Sequence, residues 1–251
     1  MSTLKVSVIT PCYNAGVTII NTIESVIAQT YTDWEMLIVD DSSSDNSADV
    51  IKEYASKDSR IKYLRTEKPS GSPALPRNIG IENAVGKYIA FFDADDVWLP
   101  DKLQWQVDFL EKNGYDLVYS FYEKMNWDGV RNNRVVRTRK KSIYKSLLKS
   151  NSIPCLTSIV KREAIGETRF KQISQEDFCF WLDILKKGYI AHNLCEVTAL
   201  YREAKTSRSA NKFNMFKGYW NVIRNHQHIK LFPACYYMLT YTILGLTKYL
   251  R

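Results

Sequence analysis

Tyr88-Ile89-Ala90-Phe91-Phe92-Asp93-Ala94-Asp95-Asp96 is the stretch whose reading decides the fold. Its apolar opening is too short for a buried helix and suits a strand covered on both faces; three carboxylates within four residues then close it. Acids after a strand are ordinary turn chemistry when they stand alone. Here two other strand ends repeat the pattern: Lys5 to Pro11 runs into Cys12-Tyr13-Asn14, and Glu35 to Val39 runs into Asp40-Asp41-Ser42-Ser43-Ser44-Asp45.

Between the strands, helical spacing recurs. Ile20, Ile23 and Ile27 lie on one helix face, Asn46 to Ala55 reads as a second helix, Ile61 to Leu64 as a strand, and Pro76 to Ala84 as another helix. Pro100 and Asp101 open a further helix with Leu103, Val107 and Leu110 as its stripe, before a strand from Asp116 to Ser120. Strands alternating with helices predict an α/β domain whose mainly parallel central sheet is flanked by helices. In such sheets ligands gather at the carboxyl ends of the strands, where all three acidic or polar clusters fall.

After residue 120 the alternation weakens. A hairpin with Asp128-Gly129 at its turn and a helix beginning near Glu176 are expected. The expected organisation is one domain over 1–210, with a donor-binding half (1–120) and an acceptor-side half (121–210), followed by a helical extension at 211–251. Leu231 to Thr247 is uncharged and aromatic-rich, shorter than the roughly 20 apolar residues of a spanning helix, which favours an interfacial element over a transmembrane one.

The 251 residues carry a formal charge of +8, which calls for an anionic partner without choosing it. Arg131, Arg134, Arg137, Arg139, Lys140, Lys141, Lys145 and Lys149 form one stretch without an acid, either a solvated face or a patch for anionic lipid or a diphosphate. Only Tyr144 is an aromatic residue within that run, so nucleic acid is not the expected partner. The five cysteines never form a CxxC spacing and read as small buried hydrophobes rather than disulfide or zinc ligands. The first residues lack a secretory pattern, so the expectation is a cytoplasmic location.

Neither GxGxxG nor GxxxxGK[ST] occurs, which disfavours dehydrogenases and P-loop kinases. The crowding of Asp93, Asp95 and Asp96 instead implies a hard cation, Mn2+ or Mg2+, shared with phosphate oxygens and helped by Arg77.

Taken in order, Val6-Ser7-Val8-Ile9-Thr10-Pro11-Cys12-Tyr13-Asn14, Ser25 to Thr30, Val39 to Asp45, Arg77-Asn78-Ile79-Gly80, Phe92 to Asp96, Gln175-Glu176-Asp177 and Tyr201-Arg202 resemble family 2 glycosyltransferases. That resemblance implies a GT-A fold and an inverting, metal-dependent transfer of a hexose or N-acetylhexosamine from a UDP-sugar. It implies Pro11 and Tyr13 flanking the base, Asp41 on the uracil, Arg77 near the ribose or diphosphate, Asp93 on the ribose or sugar, Asp95 on the metal and Asp177 as general base. Glu176, Trp181 and Arg202 are assigned to the acceptor side, with Trp181 equally suited to the core. The family's acceptors suggest surface polysaccharide (O-antigen or capsule) on a polyprenyl-diphosphate carrier, and so a peripheral place on the inner face of the cytoplasmic membrane.

Asp177 also has a case from the residues alone. Phe178, Leu182 and Leu185 recur on one face, which puts Asp177 in a helix's first turn, where the helix N-terminus is expected to lower its pKa. Many members of the family carry a histidine shortly after the Tyr-Arg pair, and Tyr201-Arg202-Glu203-Ala204-Lys205 has none. Arg202, Lys205 and Arg208 remain to contact the diphosphate, and His192, His226 and His228 are not placed to substitute. The competing readings are a nucleotidyltransferase, which would be expected to carry a glycine-rich basic loop after its first strand, where Tyr13-Asn14-Ala15-Gly16 is not one, and a non-catalytic binding module, which intact Asp41, Asp93, Asp95 and Asp177 oppose.

Overall fold

A computed structural model describes residues 5–203 and 212–247. The first 91 residues alternate as expected: β1 (Val6–Cys12), α1 (Ile19–Ile27), β2 (Trp34–Asp40), α2 (Ser47–Lys57), β3 (Ile61–Arg65), α3 (Ala74–Asn83) and β4 (Tyr88–Phe91). Their strands pair in parallel in the order β3-β2-β1-β4. Every residue of β2 and β4 is buried, as strands covered on both faces require.

Beyond β4 the chain adds β5 (Val97–Trp98), α4 (Lys102–Asn113), β6 (Leu117–Met125), β7 (Arg131–Val136), β8 (Lys141–Ser142), α5 (Tyr144–Leu147), β9 (Ile159–Lys161), α6 (Arg162–Ile165), α7 (Glu176–Lys186) and β10 (Ala191–Arg202). β9 lies antiparallel between β4 and β6 and stitches the two halves into one sheet, β3-β2-β1-β4-β9-β6-β10-β5. β6 and β10 run parallel, while β5, β7 and β8 pair antiparallel with them at the sheet's margin. The β6–β7 hairpin turns at Asp128-Gly129 as expected, with Gly129 at φ 84°. α8 (Lys212–Asn221) and α9 (Leu231–Thr247) follow.

Alternate residues of each strand feed two cores. Ile9, Phe91 and Tyr119 face α3, α7, α8 and α9; Val8, Tyr88 and Val118 face α1, α2 and α4. Gly80 lets α3 approach β1: a Cβ there would lie 2.3 Å from Cγ2 of Ile9. That contact holds Arg77, one turn earlier, at the sheet edge. Two cysteines depart from expectation, because Cys235 is exposed and Cys195 half-buried, while Cys12, Cys155 and Cys179 are buried.

Candidate active site

The carboxyl ends of β1, β2 and β4 converge with the first turn of α7. The loops after β1 and β2 are laced together: Asn14 N–H donates to Ser43 Oγ at 2.9 Å, Ser44 N–H to Asn14 Oδ1 at 2.8 Å, and Gly16 N–H to Asp45 Oδ2 at 2.9 Å. This leaves Pro11 half-buried and Tyr13 54% exposed, an open aromatic face beside the sheet edge. Asp41 is buried, and both its oxygens are engaged by Ser70 N–H (2.9 and 3.0 Å), Ser70 Oγ (2.8 Å) and Thr66 Oγ1 (3.0 Å). A contact from Asp41 to a base therefore requires exchange of part of this set, since a carboxylate offers about four acceptor sites.

Arg77 is 3% exposed and ties the two halves together. Its Nη2 donates to Asp93 Oδ1 at 2.6 Å and its Nη1 to Glu176 Oε1 at 3.0 Å. Its Nε is buried without a hydrogen-bond partner. Glu176 is thus a partner of the donor-side arginine rather than a free acceptor-side carboxylate. Asp95 stays half-buried, and burial together with the charge of Asp93 pushes its pKa up to about 6. Such crowding is relieved by a cation, so the donor set fits a divalent metal. Among the described residues no group of three or more His, Cys, Asp or Glu side chains could hold a metal ion, and Asp95 would share one with non-protein oxygens.

Asp96, for which the sequence suggests no role, is a buried strut. Its Oδ1 accepts the Arg202 backbone N–H at 2.9 Å, its carbonyl accepts Thr22 Oγ1 at 2.8 Å, and its Oδ2 is buried without a partner. Burial first, then Asp95 and Asp93, raises its pKa well above the carboxylate range. Arg202 is correspondingly not an acceptor-side or diphosphate contact in this arrangement: it is 3% exposed, its Nε donates to Asp95 O at 2.7 Å and its Nη1 to Trp127 O. The end of β10 therefore clamps the backbone of the Asp93–Asp96 turn. Lys205 and Arg208 lie outside the described residues. His192 stacks on Tyr115 with 3.6 Å between centroids, at the opposite end of β10 from Arg202.

Asp177 begins α7 as expected, accepting the Phe178 N–H at 2.7 Å and Asn151 Nδ2 at 3.3 Å. Its pKa moves opposite to the expectation. Burial and the adjacent Glu176 outweigh the lowering by Arg77 and the backbone N–H, and hold it at about 6. A carboxylate poised there is a better proton acceptor near neutrality than an ordinary one. Cys155, read from the sequence only as a small buried hydrophobe, is buried within electrostatic reach of Arg77, Asp93 and Asp177. Trp181 is a correction: it is fully buried, packed edge-on against Phe91 and Phe180, and cannot stack on a sugar. In α7 the whole run from Phe178 to Leu182 is buried, because sheet and α8 cover the helix from two sides.

The profile of glycosyl transferase family 2 matches residues 7–168. The chain is 38% identical over 253 aligned residues to the UDP-Glc:alpha-D-GlcNAc-diphosphoundecaprenol beta-1,3-glucosyltransferase WfgD of Escherichia coli, covering 99% of this chain and 96% of that one. It is 36% identical to WfaP of the same organism, which carries the same activity in its name, over 97% of this chain and 95% of that one. Among solved structures, S. aureus TarS 1–349 in complex with UDP-GlcNAc superposes with a TM-score of 0.72 at 20% identity, over 88% of this chain and 67% of that chain. The mannosyltransferase PcManGT from Pyrobaculum calidifontis, in complex with GDP-Man and Mn2+, gives a TM-score of 0.68 at 18% identity, over 90% of this chain and 65% of that chain. These likenesses show the fold.

Proposed function

Because this chain belongs to glycosyl transferase family 2, we propose that it is an inverting enzyme that transfers a hexose or N-acetylhexosamine from a UDP-sugar to a lipid-linked saccharide in surface-polysaccharide synthesis. The observation that carries the reading is the bridge across Arg77, which brings Asp93 of the donor half beside Glu176 and Asp177 of the acceptor half. The choice of UDP-sugar and polyprenyl-diphosphate acceptor is supported by what the names of WfgD and WfaP say of those proteins.

In this reading residues 1–120 hold the nucleotide and residues 121–210 the acceptor. Pro11 and Tyr13 flank the base, and Asp41 reaches the uracil once Ser70 yields a site. Asp93, fixed by Arg77, contacts the ribose or sugar. A divalent cation, Mn2+ or Mg2+, held by Asp95 would offset charge on the departing diphosphate. Asp177 accepts the acceptor hydroxyl's proton as its oxygen bonds to the anomeric carbon; the bond to the diphosphate breaks on the opposite side, and UDP leaves with the electron pair. One displacement inverts the configuration.

Among the described residues no helix is long and apolar enough to cross a membrane. With a lipid-linked acceptor, the enzyme works peripherally at the inner face of the cytoplasmic membrane. The test is a panel of UDP-, GDP- and dTDP-sugars with and without manganese, followed by slow donor hydrolysis. Turnover of a UDP-sugar alone supports the reading, and preference for a GDP- or dTDP-sugar would replace the donor assignment.

A further inference from the structure

Charge is divided along this chain in a way that its net value conceals. Residues 131–149 carry eight of the 35 Lys and Arg with no acid, and residues 204–251 carry eight more, again with none. The rest of the chain holds the remaining 19 against all 27 Asp and Glu. Arg131, at the start of the first segment, pairs with Glu123, whereas Lys145, Lys149 and Lys230 come from the parts of the two segments that flank the last helix.

α9 stands within the positive part and is apolar on two opposite faces. Ala234 and Met238 enter the core, and Tyr241 stacks on Tyr219 with 4.0 Å between centroids. Across the helix, Phe232, Tyr236, Leu239 and Ile243 recur at spacings of four, three and four, and are 89%, 51%, 60% and 51% exposed. No charged residue interrupts Leu231–Thr247. A helix apolar all round belongs in a core or in lipid.

The basic segment borders this stripe. Lys149 Nζ lies 5.6 Å from the centre of the Tyr236 ring, and Tyr144 of α5 donates to Gln227 Oε1 at 3.0 Å, just before α9. Lys145 and Lys230 are exposed at the same end. A second copy packed stripe to stripe would bring these like-charged borders together, and a nucleic acid would leave the stripe in water. An anionic bilayer satisfies both features.

We propose that α9 lies along an anionic bilayer surface, with Phe232, Tyr236, Leu239 and Ile243 at the acyl boundary and Lys145, Lys149 and Lys230 among the headgroups. The placement deepens the membrane part of the proposed function and has its own physical basis. It also bears on the site. α8 fits tightly against the residues before Glu176-Asp177: Gln175 Nε2 donates to Met215 O at 2.6 Å, and a Cβ on Gly218 would sit 2.8 Å from Ser174 Oγ. Docking through this helical pair therefore fixes the proposed base relative to the bilayer.

The test is flotation of the full chain with vesicles of phosphatidylcholine alone or mixed with phosphatidylglycerol. Binding is expected only to the mixed vesicles and to weaken with salt. The L239E/I243E variant should lose at least tenfold in partitioning, and each of K145Q and K149Q about fivefold. UDP binding and the melting curve report that the variants remain folded, and vesicle binding is read without acceptor, so failure here is distinct from failure of the transferase reading. Equal binding to neutral vesicles, or unchanged flotation of L239E/I243E, overturns the proposal. So does a vesicle-free dimer that the same substitutions disperse, since the stripe would then belong to a second copy.

Discussion

Arg77 donates from Nη2 to Oδ1 of Asp93 at 2.6 Å, from a guanidinium that is 3% exposed. The same group reaches Glu176, so one buried cation faces two carboxylates from opposite halves of the domain. Removing it leaves both acids without their partner; because the Asp93 side chain is 36% exposed and water takes up part of the loss, the cost is about 1–3 kcal/mol. Arg77→Met should show this as a lower urea midpoint, together with weakened UDP binding. Arg77→Lys should recover little, because an ammonium lacks the fork that spans both acids. A midpoint unchanged in Arg77→Met would contradict the bridge.

Asp96 and Arg202 make a second prediction. Asp96→Ala leaves the buried Arg202 N–H without its acceptor, which costs about 1–3 kcal/mol, and loosens the turn that carries Asp95. Asp96→Asn keeps an oxygen in place of a carboxyl group that burial already favours as neutral, and should retain near-parental stability and UDP affinity. Calorimetric UDP titration of both variants checks the strut. Equal loss in both would mean that the charge, rather than the hydrogen bond, is what matters.

Much of this was legible in the sequence, and the residues explain where legibility ended. β1, β2 and β4 announce themselves because strands buried on both faces are runs of apolar residues closed by polar ones. β9 is three residues long, and its partners in β4 and β6 come from distant sequence, so no local pattern marks it. Arg202 and Asp96 are 106 positions apart, and their clamp exists only once β10 reaches the β4 end. Trp181 sits one turn beyond Asp177, where an aromatic offered to a sugar and a core aromatic look alike, until both sides of α7 prove covered. The helix N-terminus beside Asp177 is local and visible and predicts a lowered pKa, whereas the burial that raises it comes only with the fold.

Asp177 gives a prediction in pH. Its folded value of about 6 lies above the ordinary 3.8, so the favourable contribution is present below about pH 4 and is lost as pH rises through 6. Asp177→Asn should therefore stabilise the fold above pH 6, by about 3 kcal/mol, and give no advantage below pH 4. Transfer should disappear in the same variant while UDP binding persists. In the parent, kcat should fall as pH drops below about 6, because the base must be ionised to take a proton. Thermal melts across pH and a pH–rate profile check the two halves separately; normal turnover by Asp177→Asn would move the role to another carboxylate, Glu176 first.

Asp95 separates binding from chemistry. Asp95→Asn should abolish the manganese-dependent part of UDP affinity while leaving the weaker metal-free binding through Pro11 and Tyr13. Titration of UDP with and without manganese measures the difference. Identical titrations of parent and variant would remove Asp95 from the metal site.

The most direct test of the whole account is transfer itself. The purified chain is incubated with manganese, UDP-glucose or UDP-N-acetylglucosamine, and an N-acetylglucosaminyl-diphospho-polyprenol acceptor, and the anomeric configuration of the product is read from its proton coupling. A β-linked disaccharide lipid is expected, formed with one UDP released per sugar transferred. An α-linked product, or no transfer from any UDP-sugar by a folded enzyme that binds UDP, would contradict it.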